Sequence, residues 1–269
     1  MADREPLPFD GRALALDRFP LRQDDPLRAW DTADKYLLEM FGQTATGRIL
    51  VANDAFGALA VTLHHLAPTL WSDSYLAREA HLHNLTLNGM DHDPADFVPG
   101  DQTPPGEFDL VLMKIPKSMN LFEDQLLRLR AHLAPGARVV AGGMIKHVPM
   151  RAWRLLEEVI GPTRTSRGRQ KARYAEAEFE PGRDLPDRVA DAPVTWGDPP
   201  LELAGGPNVF SRGRIDHGTA LLLDHLPAGE APLAAADLGC GNGVLALALA
   251  RACPRARVLA VDESFQACL

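Results

Sequence analysis

Seven residues, Asp237-Leu-Gly239-Cys240-Gly241-Asn242-Gly243, restrict the fold more than any other part of the chain. They follow a short apolar run, 233–236, and precede another, 244–250. That order reads as strand, tight turn and helix. Glycines at alternate positions let the backbone turn sharply and let a ligand lie against bare main chain. Past the turn a second apolar run, 257–261, ends in Asp262. An α/β nucleotide fold places a carboxylate there for ribose hydroxyls.

The pattern narrows the cofactor. A nicotinamide fingerprint needs G-x-G-x-x-G, and counting from Gly239 the sixth position is Val244. A P-loop needs Gly-Lys-Ser/Thr, which is absent. An acid two residues before G-x-G-x-G, with a second acid after the next strand, resembles motif I of S-adenosylmethionine-dependent methyltransferases. The bland alternative is an ordinary glycine-rich turn.

The 269 residues suit one large domain or two modest ones, and 24% charged residues are ordinary for a globular protein. No apolar run approaches membrane-spanning length, and the acid-bearing N-terminus is no signal peptide. Cys240, Cys253 and Cys268 have neither metal spacing nor an even count. A reduced, cytoplasmic protein is expected, with no membrane partner and no metal. His64-His65 and His81-x-His83 lack a carboxylate or cysteine frame and read as exposed or capping histidines. A net charge of −8 does not advertise nucleic-acid binding, but local patches matter more than the sum. Arg164, Arg167, Arg169, Lys171 and Arg173 form a basic strip without an acid. The strip suits RNA phosphates or, equally, a solvated face. Five phosphate contacts would give a log K against log salt slope of about −4.

Apolar periodicity predicts helices over 27–41 (with Asp25 as N-cap), 58–66, 76–87, 118–133 and 150–160. Strands are predicted at 48–53, 69–73, 109–115, 138–141 and 172–179. Alternating strands and helices imply a mostly parallel sheet covered on both faces. Proline and glycine crowd 181–207, the predicted connection between a domain over 1–180 and another over 208–269. Within it, 194–196 and 201–203 could pair as a hairpin. The first domain looks like a worn copy of the second. Leu50-Val-Ala-Asn53-Asp54-Ala-Phe56-Gly57 has the same context as the Asp237 motif, and 69–74 parallels 258–264 with Asp73 opposite Asp262. In this reading Asp54 and Phe56 stand where glycine would admit a cofactor, so the first copy binds none. An unrelated α/β domain with an Asn-Asp turn is the alternative.

These stretches carry a wider resemblance. Pro26-Leu-Arg-Ala-Trp30-Asp31-Thr-Ala-Asp34-Lys-Tyr36, 50–60, Ile115-Pro116-Lys117, 133–140, Asn208-Val209-Phe210-Ser211, 237–244 and Val261-Asp262-Glu263-Ser264 are similar to the ribosomal RNA large-subunit methyltransferase G family. That family methylates guanine N2 of 23S rRNA and is related to the small-subunit methyltransferase C family. The resemblance implies two Rossmann-like methyltransferase-type α/β domains, the first complete and degenerate, the second here only begun. It implies S-adenosylmethionine as cofactor, lined by Gly239, Gly241 and Gly243. Asp237 would lie near the methionyl end, Asp262 would accept from the ribose, and Asp216 would border the site. It implies ribosomal RNA, 23S favoured over 16S, as partner of a monomer. Family members also carry Asn-Pro-Pro-Phe at the end of the second domain's fourth strand, where it holds the target amine. These 269 residues have none, and the nearest echo is Lys114-Ile115-Pro116-Lys117. The chain therefore reads as a C-terminally truncated member with no catalytic motif of its own. The rival class is a non-catalytic RNA-binding or folding module.

Overall fold

The computed structural model describes residues 5–23, 25–91, 93, 96–185, 193–203, 205–209 and 214–268. Phe210, Ser211 and residues 186–192 of the predicted connection lie outside them. The chain forms two compact units, Met1–Pro186 and Asp187–Leu269.

Unit 1 opens with a hairpin, β1 (Leu7–Phe9) and β2 (Arg12–Leu14), then α1 (Thr32–Leu37), continued by a π-helical turn, Leu38–Gly42. There follow β3 (Ile49–Ala52), α2 (Ala58–Thr62), β4 (Thr69–Ser72), α3 (Tyr75–Leu87), β5 (Phe97–Pro99), β6 (Phe108–Lys114), α4 (Met119–Leu129), β7 (Leu133–Met144), α5 (Met150–Val159), β8 (Thr163–Thr165) and β9 (Ala172–Glu178). One seven-stranded sheet runs β5-β4-β3-β6-β7-β9-β8, with β9 antiparallel to both β7 and β8 and the other pairings parallel. All four residues of β3 are buried, as in a strand covered on both faces. Trp71, Phe108, Phe122, Leu126, Val139 and Leu156 centre the core. The chain winds outward from β3 in both directions, so the crevice at the carboxyl ends of β3 and β6 is the topological switch point, where such sheets take ligands.

Several predicted boundaries move: the helix predicted over 118–133 ends at Leu129, the helix predicted over 58–66 ends at Thr62, and the strand predicted at 138–141 runs Leu133–Met144. The first helix begins at Thr32, not near 27. Asp31 accepts from the amides of Ala33 and Asp34, and Asp34 accepts from the amide of Asp31. This reciprocal cap satisfies N–H groups that a helix start leaves open. Asp25 instead binds Arg18 and the amide of Leu27.

Unit 2 holds the paired hairpin β10 (Val194–Trp196) and β11 (Leu201–Leu203), then α6 (His217–Leu223), β12 (Leu233–Leu238), α7 (Val244–Ala252) and β13 (Ala256–Val261). β12 and β13 pair in parallel, in register from Leu233 with Ala256 to Leu238 with Val261. Leu238 and Leu259 are 79% and 62% exposed, so this two-stranded sheet is not covered as β3 is. Among the described residues no helix is long and apolar enough to cross a membrane.

Candidate functional site

The turn after β12 has the geometry its glycines require. Gly239, Gly241 and Gly243 have φ of +77°, +53° and +76°, the left-handed region that side chains disfavour. The amides of Gly239 and Cys240 donate to the Val261 carbonyl at 2.8 and 3.1 Å, tying the turn to the end of β13. The Asp262 carboxylate accepts from the amide of Gly241 at 2.9 Å and from that of Ser264 at 2.9 Å. Asp237 accepts from the amide of Ala246 in the first turn of α7 at 3.2 Å, where a negative charge suits the helix dipole. A Cβ added to Gly239 or Gly243 would meet nothing within 4 Å, and one on Gly241 only Val209, at 3.7 Å. The turn is therefore an open cradle of main chain with a carboxylate on its rim, and these residues fit an S-adenosyl nucleoside.

Asp216 caps α6, accepting from the amides of Gly218 and Thr219 and from the Thr219 hydroxyl at 2.5 Å. The Thr219 hydroxyl, with these amides, holds its carboxyl below the usual range. Burial, with Asp262 and Asp237 nearby, pushes the Cys240 thiol up. A protonated thiol is a poor nucleophile, so a filling role suits it.

Unit 1 contains a related turn, left-handed at Asn53 and Gly57 but not at Ala55, with its functional groups replaced. Gly57 (φ +82°) precedes α2 as Gly243 precedes α7. The amide of Asn53 donates to the Trp71 carbonyl at 2.9 Å, as that of Gly239 does to Val261. Ala52 pairs with Trp71 as Leu238 pairs with Val261. This register corrects the sequence alignment twice. The glycine positions are held by Asn53 and Ala55, not by Asp54 and Phe56. The counterpart of Asp262 is Ser72, not Asp73: the Ser72 hydroxyl accepts from the amide of Ser74 at 3.3 Å, as Asp262 does from Ser264. Matching acid to acid along the sequence sets the two copies one residue out of register. The first copy thus lacks the ribose carboxylate altogether.

Its turn is also closed by its own side chains. The buried Asp54 carboxylate accepts from the amides of Gly57, Ala58, Leu59 and Ala60 at 2.8–3.0 Å, taking every donor that a ligand anion would use. Asn53, at φ +59°, exchanges two hydrogen bonds with the Gln125 amide at 2.8 and 2.9 Å.

At the end of β6, Lys114 Nζ lies 2.8 Å from Asp31 Oδ1 and 2.6 Å from Asp34 Oδ1. Burial pushes the Asp34 carboxyl up to about 6; Lys114 opposes the rise, and Asp31 and Asp54 add to it. Burial also acts to raise Asp31, but the Lys114 charge and the cap amides outweigh it and hold that carboxyl below the usual range. The difference follows exposure: the Asp31 side chain is 45% exposed and that of Asp34 8%. Burial disfavours charged Lys114, yet the two carboxylates raise it above its ordinary value. Asp54 is raised by burial despite its four amide donors. A cavity of about 160 Å³ adjoins this cluster, small beside the roughly 300–1,000 Å³ of typical ligand pockets.

The predicted basic strip maps to the β8–β9 hairpin and divides in two. Arg169 pairs with Glu39 at 2.5 Å and lies over the Tyr36 ring. Arg173 is bonded to the Ser166 carbonyl and the Thr165 hydroxyl. The side chains of Arg164, Arg167 and Lys171 are exposed and make no hydrogen bond or ion pair among the described residues. Sequence reasoning missed Lys146 and His147, both exposed, on the turn after β7. The amide of Ile145 donates to the Lys171 carbonyl at 2.8 Å, which brings that turn to the hairpin. No local sequence signal joins segments so far apart.

Comparison with known proteins places both units. A family model described as the RLMG N-terminal domain matches residues 4–181, and one described as the methyltransferase small domain matches 200–269. The ribosomal RNA large subunit methyltransferase G of Pseudomonas paraeruginosa is 47% identical over 258 residues, covering 94% of this chain and 69% of that protein. Its namesake from Pseudomonas syringae pv. syringae is 45% identical over 260 residues with the same coverages. A T. thermophilus 16S rRNA N2 methyltransferase, solved with AdoMet and guanosine, shares the fold at a TM-score of 0.66 and 20% identity, over 97% of this chain and 69% of that one. The fold is that of Rossmann-like methyltransferases, and the chain belongs to the ribosomal RNA large subunit methyltransferase G family.

Proposed function

We propose that this protein serves S-adenosylmethionine-dependent methylation of guanine N2 in 23S ribosomal RNA, acting as a cytoplasmic monomer. The observation that carries this reading is the open glycine cradle of unit 2, with Asp262 fixed on its rim by the amides of Gly241 and Ser264. The relatives' names supply large-subunit ribosomal RNA, and the family resemblance supplies guanine N2. The cofactor, when bound, supplies an electrophilic sulfonium methyl group. Gly239, Gly241 and Gly243 let it approach the main chain, Asp262 accepts from its ribose, Asp237 and Asp216 stand at its borders, and region 208–269 is the cofactor side. Region 1–180 is the RNA side, freed from cofactor binding by Asn53, Ala55 and Ser72, and 181–207 connects the two.

The 269-residue polypeptide alone is expected to transfer no methyl group, because it contains no Asn-Pro-Pro-Phe to hold the amine. A form extended through that motif is expected to label protein-free 23S rRNA from tritiated S-adenosylmethionine as N2-methylguanine. Label above a no-enzyme control with the shorter form would overturn the first expectation. Label in 16S rRNA alone would move the substrate to the small subunit.

RNA binding is expected to rest on Arg164, Arg167 and Lys171. Three phosphate contacts give a log K against log salt slope of about −3, and alanine at Arg164 and Arg167 flattens it by roughly 2. Filter binding over a salt series reads this directly. An unchanged slope in the double variant would leave the hairpin as a solvated face.

A further inference from the structure

The cavity at the switch point of unit 1 is walled by Arg18, Arg28, Trp30, Asp31, Phe56 and Lys114. Asn53, Asp54 and Ala55 of the closed turn form its floor, and the cofactor reading, which rests on unit 2, does not use it. Its chemistry is specific. Asp31 Oδ1 accepts from Lys114 and from the amides of Ala33 and Asp34, while Oδ2 makes no hydrogen bond among the described residues. The Arg28 guanidinium lies 4.2 Å from the centre of the Trp30 ring, and that of Arg18 4.8 Å from the centre of the Phe56 ring. Arg18 reaches the Arg28 carbonyl at 3.5 Å, and both arginines line the cavity. Each also meets an acid, Arg18 with Asp25 and Arg28 with Glu5, which leaves their remaining N–H groups for a ligand.

Guanidinium planes held on aromatic rings stack nucleobases. A carboxylate oxygen with open lone pairs pairs with adjacent N–H donors, and guanine has two on its pairing edge, N1–H and N2–H₂. Adenine presents the acceptor N1 there, which a carboxylate repels. Guanine O6 and N7 also accept from arginine.

We propose that this cavity binds a guanine nucleotide, its pairing edge against Asp31 and its ring against Arg18 and Arg28. The site is separate from the cofactor cradle, so it stands or falls apart from the methyl-transfer reading. Either a free nucleotide or a guanine of RNA offers this chemistry.

The test is titration of the full chain with guanosine and adenosine 5′-monophosphates by calorimetry, with the Trp30 indole N–H followed by NMR. Guanosine monophosphate is expected to shift that signal and to bind about ten- to a hundredfold more tightly than adenosine monophosphate. Asp31→Asn should erase the preference. Arg28→Ala, at a half-exposed side chain away from Lys114, should weaken both nucleotides while leaving the fold intact. Equal binding of the two nucleotides, no shift at Trp30, or no effect of Arg28→Ala would overturn the proposal. A 23S rRNA fragment that displaces the bound nucleotide supports it with RNA as the source. Retention of the nucleotide supports it with a free nucleotide as the source.

Discussion

Lys114→Ala is expected to destabilise unit 1 by about 3–5 kcal/mol, the usual cost of removing one partner from a buried ion pair. The lysine sits between Asp31 and Asp34 at the carboxyl end of the central strand β6, and its loss strands the Asp34 carboxylate, which is 8% exposed. Hydrogen exchange of the β6 amides reports unit 1 by itself and gives the magnitude. A change under about 1 kcal/mol would show that water or side-chain movement relieves the cluster.

The pH dependence has a definite sign. Asp34 titrates near 6 in the folded protein against 3.8 in the unfolded chain. Between those values the folded state binds more protons, so Asp34 favours folding below about pH 4 and that contribution fades as pH rises through 6. Asp54 is raised too and acts in the same direction. Lys114, raised above 10.5, adds stability that is present at neutral pH and lost only in strong alkali. Without the lysine the Asp34 carboxyl rises further, because the partner that opposed its burial is gone. The deficit of Lys114→Ala should therefore shrink as pH falls toward 4. A deficit that is constant with pH would mean that lost packing, not stranded charge, is the cause.

Gly241→Val is expected to abolish S-adenosylmethionine binding. It forces a β-branched residue to φ +53° and places its side chain on the face of the turn that is open. Asp262→Ala removes a charge-assisted hydrogen bond of about 1.5–3 kcal/mol, roughly ten- to a hundredfold in affinity. Ser72→Ala and Asp73→Ala should leave binding unchanged, because unit 1 has closed its turn. Calorimetry on a form extended through Asn-Pro-Pro-Phe measures all four. An unchanged dissociation constant in both unit 2 variants would refute the cradle. Loss of binding in Ser72→Ala would mean that the wrong copy had been assigned.

Features that depend on local backbone chemistry are legible in the linear chain. Alternating glycines and a following acid announce a cofactor turn, because only glycine accepts φ of +77°, +53° and +76° in succession so cheaply. The apolar runs of β3, β6 and β7 announced a buried parallel sheet, because strands covered on both faces have no polar side to show. What needed tertiary structure was everything set by register and by long-range pairing. The correspondence of Asn53 with Gly239, and of Ser72 with Asp262, is carried by amide bonds to β4 and β13, which a linear comparison cannot see. The start of α1 depended on which aspartate captures the first amides; Asp31 does, and its carboxylate is also bonded by Lys114, 83 residues away. The split of the basic strip depended on Glu39, 130 residues before Arg169. Local propensity is written in neighbouring residues, whereas the charge and hydrogen-bond partners that make or close a site are chosen only when the chain folds back on itself.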